Sequence, residues 1–173
     1  MKVKLRKISA AISSAYSWVA IMAVAGIFIV MTVQVFFRYI LNNSLSWSEE
    51  LARFLFVWAS MTGAVVVTGK RGHAAIKMLD GLFPAKVNRT KDLIFDIVIA
   101  ALGAMIFVYG LKLTGSTRNQ TSPALHLSYS YIYMAIPIGG IGIAVQSILN
   151  ALDLALGFRS SGDEPKPVEG GGD

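Results

Sequence analysis

The chain has 173 residues, of which 54% are hydrophobic and only 15% charged; soluble domains carry about 25% charge. Too little polar surface remains to cover a water-soluble globule, so the composition defines an integral membrane protein. The net charge of +6 does not mark a nucleic-acid face, because the Lys and Arg residues stand in short segments between apolar runs, the spacing of a topology signal. With no cysteine in the chain, disulfides, thiolate metal sites and cysteine nucleophiles are excluded.

The chain opens on MKVKLRK, an apolar run and AVAG at 23–26, which imitates a cleavable signal peptide. The uncharged run 8–37 continues twelve residues past Ala25, however, and a signal-peptide core spans roughly 7–15 residues. An uncleaved first transmembrane helix over 16–37 is therefore expected. Crossing a core of about 30 Å takes about 20 helical residues, and three further runs have that length: 47–68, 93–111 and 131–152. The last carries Pro137 and GGIG, for which a simple kink is expected. Nothing alternates with the period of a membrane strand. The fold class is thus an all-α membrane domain of four helices over 1–157.

Twelve Lys and Arg fall in the N-terminal segment, the 70–91 loop and the tail, and four fall on the opposite side. The positive-inside rule then places both termini in the cytoplasm. Between the second and third spans, HAAIKMLDGLF at 73–83 sets apolar residues at helical spacing with Lys77 and Asp80 on the other face, the pattern of a short interfacial amphipathic helix. The segment 158–173, low in apolar content, reads as a disordered cytoplasmic tail.

Enzyme readings find little to stand on. The two histidines, His73 and His126, fall on opposite sides of the membrane and cannot jointly ligate a haem or metal. The central stretches 14–37, 54–69, 97–111 and 131–152 contain no Asp, Glu, Lys, Arg or His, whereas intramembrane charge marks solute pathways. A helper fits better than a stand-alone carrier or an enzyme's membrane anchor. Small residues recur at packing spacing in the pairs Ala59/Gly63, Ser60/Ala64, Ala100/Ala104 and Gly140/Ala144.

The stretch LNNSLSWSEELARFLFVW carries charge to the mouth of the second span. Ser46 and Glu49 are spaced as a capping box. Glu49 precedes Arg53 by four residues, the favourable order for a same-face pair, and Trp47 is placed as an interfacial anchor. Glu50 is covered by none of this and needs a partner, either Arg38 at the end of the first helix or a group on another protein.

The ordered set FFRYILNNSLSWSEELARFLFVWASMTGA, GKRGHAAIKML and NQTSPALHLSYSYIYMAIPIGG resembles the small membrane (Q, DctQ-like) subunit of tripartite ATP-independent periplasmic (TRAP) transporters. Arg38, Tyr39, Asn42, Trp47, Glu49, Glu50, Arg53, Gly72, His73, Pro137 and Gly139 match the family's pattern, and the resemblance covers about 16–155. It implies a sodium-coupled importer of a small organic acid, such as a dicarboxylate or sialic acid, in the inner membrane. A periplasmic binding protein would deliver substrate to a large, elevator-type membrane subunit that this chain braces. The chain itself would hold no cofactor, with sodium bound in the partner. Arg38, Asn42, Trp47, Glu49, Glu50 and Arg53 are candidates for a subunit-interface or structural role, Arg118 on the same side is a second candidate for docking, and Lys70, Arg71 and His73 are expected to be structural at the cytoplasmic side among lipid headgroups.

Overall fold

The computed structural model describes residues 2–43, 45–70 and 85–156. Five helices are found there: α1 (Lys2–Ile40), α2 (Ser46–Gly69), α3 (Ala85–Ser116), α4 (Tyr129–Tyr133) and α5 (Ala135–Ala155). Four stretches are long and apolar enough to cross a membrane: Leu5–Ile40, Ser46–Gly69, Thr90–Ser116 and Tyr129–Ala155. The expected interfacial helix at 73–83, with Arg71 and His73, and the tail lie outside the described residues.

The helices begin and end beyond the apolar runs that announced them. α1 has 39 residues, about 58 Å at 1.5 Å per residue, roughly twice the hydrocarbon core. Hydropathy marks only the part of a helix immersed in lipid. Before Gly26 nothing in α1 breaks a helix, since no Gly or Pro occurs there, so the basic N-terminal segment continues the same rod. α3 likewise starts eight residues ahead of its apolar run.

The fourth span is not unwound. Met134, the single residue between α4 and α5, keeps helical angles (φ −58°, ψ −24°). Pro137 falls in the first turn of α5, where its missing N–H leaves one ladder bond unmade and the axis free to turn.

The helices stand in an open row. α1 packs on α2, α2 on α5, and α5 on α3; α1 meets α5 over a short stretch, and neither α1 nor α2 packs against α3. The fourth span is 44% buried, against 11% for the first and 17% for the third, so α5 is the centre of the row and α1 and α3 are its edges. α5 can be central because its glycines serve two faces. Gly139 and Gly142 receive Met61 and Val65 of α2, and Gly142 also receives the Tyr16 ring of α1. Gly140 meets α3 so closely that a Cβ there would lie 2.6 Å from the Phe107 amide nitrogen.

Gly140 and Ala144 therefore pack as their spacing suggested. On α3 the contact is made by Gly103 and Gly110, not by the Ala100/Ala104 pair, since Ala104 is exposed. Glycine wins because only a missing Cβ allows the backbones this close. A Cβ on Gly63 would meet nothing within 4 Å, so the Ala59/Gly63 pair is not used within the described chain.

Candidate functional site

The charged residues at the start of α2 gather with the end of α1 and the α3–α4 loop at one end of the row. Glu49 Oε1 accepts from Gln34 Nε2 of α1 at 3.0 Å, and Gln34 is only 5% exposed. This bond ties α1 to α2 beside the lipid core. It replaces both local partners expected for Glu49. The capping box is not formed, because Ser46 is already the first helical residue and Leu45 holds the cap position without a side-chain bond. Ser48 is turned inward, donating to the Leu45 carbonyl at 2.6 Å. Arg53 is exposed and acts on Glu50 at a distance rather than pairing with Glu49.

Glu50 is held by three donors from one loop. Its Oε2 accepts from the Ser122 hydroxyl at 2.9 Å, the Leu125 amide at 2.9 Å and the Ala124 amide at 3.1 Å. The loop is shaped to present these donors. Pro123 has no N–H of its own to direct, and the two amides after it point at one oxygen, as in backbone anion nests. The turn closes through Ser122 N–H to the Leu127 carbonyl at 2.8 Å and His126 N–H to the Ser122 carbonyl at 3.1 Å. His126 takes φ 54° to allow it, and Thr121 bridges Ser128 in antiparallel fashion. One turn along α2, Phe54 packs edge-on against Tyr129 with ring centroids 6.2 Å apart.

The expected partner of Glu50 was Arg38 or another protein, and the loop of its own chain takes that place. Arg38 instead lies 6.0 Å from the ring centroid of the neighbouring Tyr39. Asn42 has φ 48°, a conformation that Asn tolerates better than other side-chain-bearing residues. The turn it makes at the end of α1 lets the Asn43 amide return to the Phe37 carbonyl at 3.2 Å. Trp47, in the first turn of α2, is 38% exposed. Arg118 is exposed; its carbonyl accepts from the Ser128 hydroxyl at 2.8 Å, and with Ser128, Ser130 and Tyr131 it lines a shallow cavity of about 310 Å³. Lys70 is at the far end of the row, capping α2 with its amide on the Val66 carbonyl.

A search for charge alone overlooks the neutral amides. At the N-terminal end of the row, fully buried Gln146 of α5 accepts from the Ser9 hydroxyl at 2.8 Å. It donates to the Ser9 carbonyl at 3.0 Å and the Ser13 hydroxyl at 2.9 Å. Asn150 donates to the Thr68 carbonyl at 2.9 Å, and the Tyr16 hydroxyl to the Ile138 carbonyl at 2.8 Å. The available signal was an amide side chain inside an otherwise apolar run, at Gln34, Gln146 and Asn150.

An ionised carboxylate saturated on one oxygen by three donors fixes a loop; it is poorly placed to shuttle a proton. Both glutamates thus hold elements together, one helix to helix and one helix to loop. A row of four lipid-length helices latched in this way is an all-helical integral membrane domain. Residues 27–157 match the family model described as the DctQ component of tripartite ATP-independent periplasmic transporters, and the chain belongs to that family. It is a transport component and not an enzyme, a multi-pass protein of the bacterial inner membrane.

Among its relatives, the sialic acid TRAP transporter small permease protein of Vibrio cholerae is 29% identical over 161 residues, 91% of each chain. The C4-dicarboxylate TRAP transporter small permease protein of Rhodobacter capsulatus is 31% identical over 129 residues, 70% of this chain and 53% of that one. The isethionate TRAP transporter permease of Oleidesulfovibrio alaskensis is 30% identical over 120 residues, 65% of this chain but only 19% of a much longer protein.

Proposed function

We propose that this small permease subunit braces the large membrane subunit of a sodium-coupled importer of a small organic acid, of the sialic-acid or dicarboxylate kind. Both termini would face the cytoplasm, and a periplasmic binding protein would dock on the Glu50 side. The observation that carries the reading is the open row: α1 and α3 are edges, with wide apolar faces uncovered among the described residues. A closed bundle would need no companion beyond lipid, whereas an open row offers a long flat flank to a larger apolar partner. The long isethionate relative, which the chain matches over 19% of its length, supports a small and a large part working as one unit. The clustering of Lys and Arg at 2–7 and 70–91 supports the orientation. Sodium and substrate would be bound in the large subunit.

Co-expression with the large permease and binding protein of the same system, followed by reconstitution in liposomes, tests the proposal. The chain should co-purify with the large subunit in mild detergent. The complete set should accumulate a sialic or dicarboxylic acid when an inward sodium gradient is applied. Uptake by this chain alone, or full uptake by the large subunit without it, would refute the bracing role. Uptake without a sodium gradient would refute the coupling.

A further inference from the structure

We infer that the cleft at the N-terminal end of the row is a binding site for an aminophospholipid headgroup, with Arg6 and Lys70 taking the phosphate and Asp153 the ammonium. The cleft, about 430 Å³, lies between the first turns of α1, the C-terminal cap of α2 and the last turns of α5. A volume of that order suits a small ligand. Its walls carry two cations, Arg6 and Lys70, and one carboxylate, Asp153. Asp153 is only 8% exposed, and its Oδ1 is buried without a hydrogen-bond partner. A buried carboxylate oxygen left without a donor is costly. The nearest remedy, a salt bridge to Arg6 or Lys70 across the cleft, is not made among the described residues.

Two positive groups and one negative group held apart around a cavity are the complement of a zwitterion with its charges separated by a short spacer. Phosphoethanolamine is such a group. A phosphate alone would leave Asp153 facing an anion, and a simple cation would leave Arg6 and Lys70 unused. The position favours a membrane source. Arg6, Lys70 and Asp153 stand at the ends of three spanning segments, the level of lipid headgroups, where basic pockets between helices bind them. From that level the cleft continues along α1 to Ser14 and Ser17, toward the membrane interior. Their hydroxyls fit the glycerol ester carbonyls, and the apolar side chains of α1 beyond them fit the acyl chains.

Native mass spectrometry of the full-length chain, delipidated in detergent, tests the site with phosphatidylethanolamine and phosphatidylglycerol of identical acyl chains. The wild type should retain the ethanolamine lipid about tenfold more strongly, the difference expected of one charge-assisted hydrogen-bonded contact. Asp153→Asn should abolish that preference while still retaining phosphatidylglycerol, and Arg6→Ala with Lys70→Ala should weaken both lipids. Soluble glycerophosphoethanolamine should fail to displace the lipid at equal concentration. Equal retention of the two lipids by the wild type would overturn the proposal even if no variant folded, as would an unchanged preference in Asp153→Asn. Displacement by the soluble headgroup would overturn the membrane source. Loss of the lipid on assembly with the large subunit would show that a protein group fills the cleft, and would overturn the proposal too.

Discussion

The α3–α5 seam and the α1 side of the row are held by different means. Between α3 and α5 the backbones touch through Gly103, Gly110 and Gly140, where a Cβ on Gly103 would lie 2.7 Å from the Ala144 amide nitrogen. α1 carries interhelical side-chain bonds: Gln34 to Glu49, Tyr16 to the Ile138 carbonyl, and Ser9 and Ser13 to Gln146. In lipid no hydrophobic force presses helices together, so close van der Waals contact and interhelical hydrogen bonds are the two available attractions. On the α1 side the hydrogen bonds join close contacts such as Tyr16 on Gly142. The glycine seam cannot shift without collision.

The largest expected effect breaks the seam. Gly140→Leu would drive a side chain into the α3 backbone near Phe107, and should cost about 3 kcal/mol or more. Sodium dodecyl sulfate titration in mixed micelles, followed by the fluorescence of Trp18, Trp47 and Trp58, would measure it. Next, Gln146→Leu removes three bonds at no great cost in volume. At about 0.6 kcal/mol for each interhelical bond in a membrane, it should cost about 2 kcal/mol. The loss should appear as fraying of the N-terminal end of α1, read by faster proton exchange of the Ser9 and Ser13 amides. If Gly140→Leu proved milder than Gln146→Leu, the contrast between the seams would be wrong.

Glu50→Ala tests the latch rather than either seam. It frees the Ser122 hydroxyl and the Ala124 and Leu125 amides together, and Ser122 is 1% exposed. The α3–α4 loop should open, and trypsin should cut after Arg118 faster than in the wild type. Glu50→Gln should restore part of the protection, since an amide oxygen still accepts. A loop equally protected in all three proteins would show that the three bonds do not hold it. Gln34→Leu should be gentler, about 0.5 kcal/mol. It loses one bond to an exposed carboxylate, and it also removes an oxygen, Gln34 Oε1, that is buried without a partner.

How much of this was legible in the sequence follows from what each signal measures. Four spans could be read because length and hydropathy report immersion in lipid directly; the ends of α1 and α3 could not, because a helix continues in water wherever nothing breaks it. Pro137 was legible as a missing ladder donor in the first turn of α5, because its effect on the helix is local. Gly140 and Ala144 were legible as a packing pair, but the pair noted on α3, Ala100 and Ala104, is not the one that meets α5. Spacing alone cannot say which side of a uniformly apolar helix meets a neighbour. The need of Glu50 for a partner could be inferred from its lack of a local one. The partner itself lies 72 residues away at Ser122 and depends on how the α3–α4 loop folds back.

Asn42 gives the smallest effect and separates a family pattern from its physical cause. It stands exposed at the end of α1, and no side-chain bond explains why Asn should be there. Its φ of 48° does, because a Cβ in that region crowds the backbone and Asn bears the penalty better than most residues. Asn42→Gly should leave stability within a few tenths of a kcal/mol of the wild type, whereas Asn42→Val should cost about 1–2 kcal/mol. If the role is the turn alone, co-purification with the large subunit should follow the same order, with Gly equal to Asn and Val weaker. A Gly variant that is stable in micelles yet fails to assemble would show instead that the amide itself is recognised across the interface.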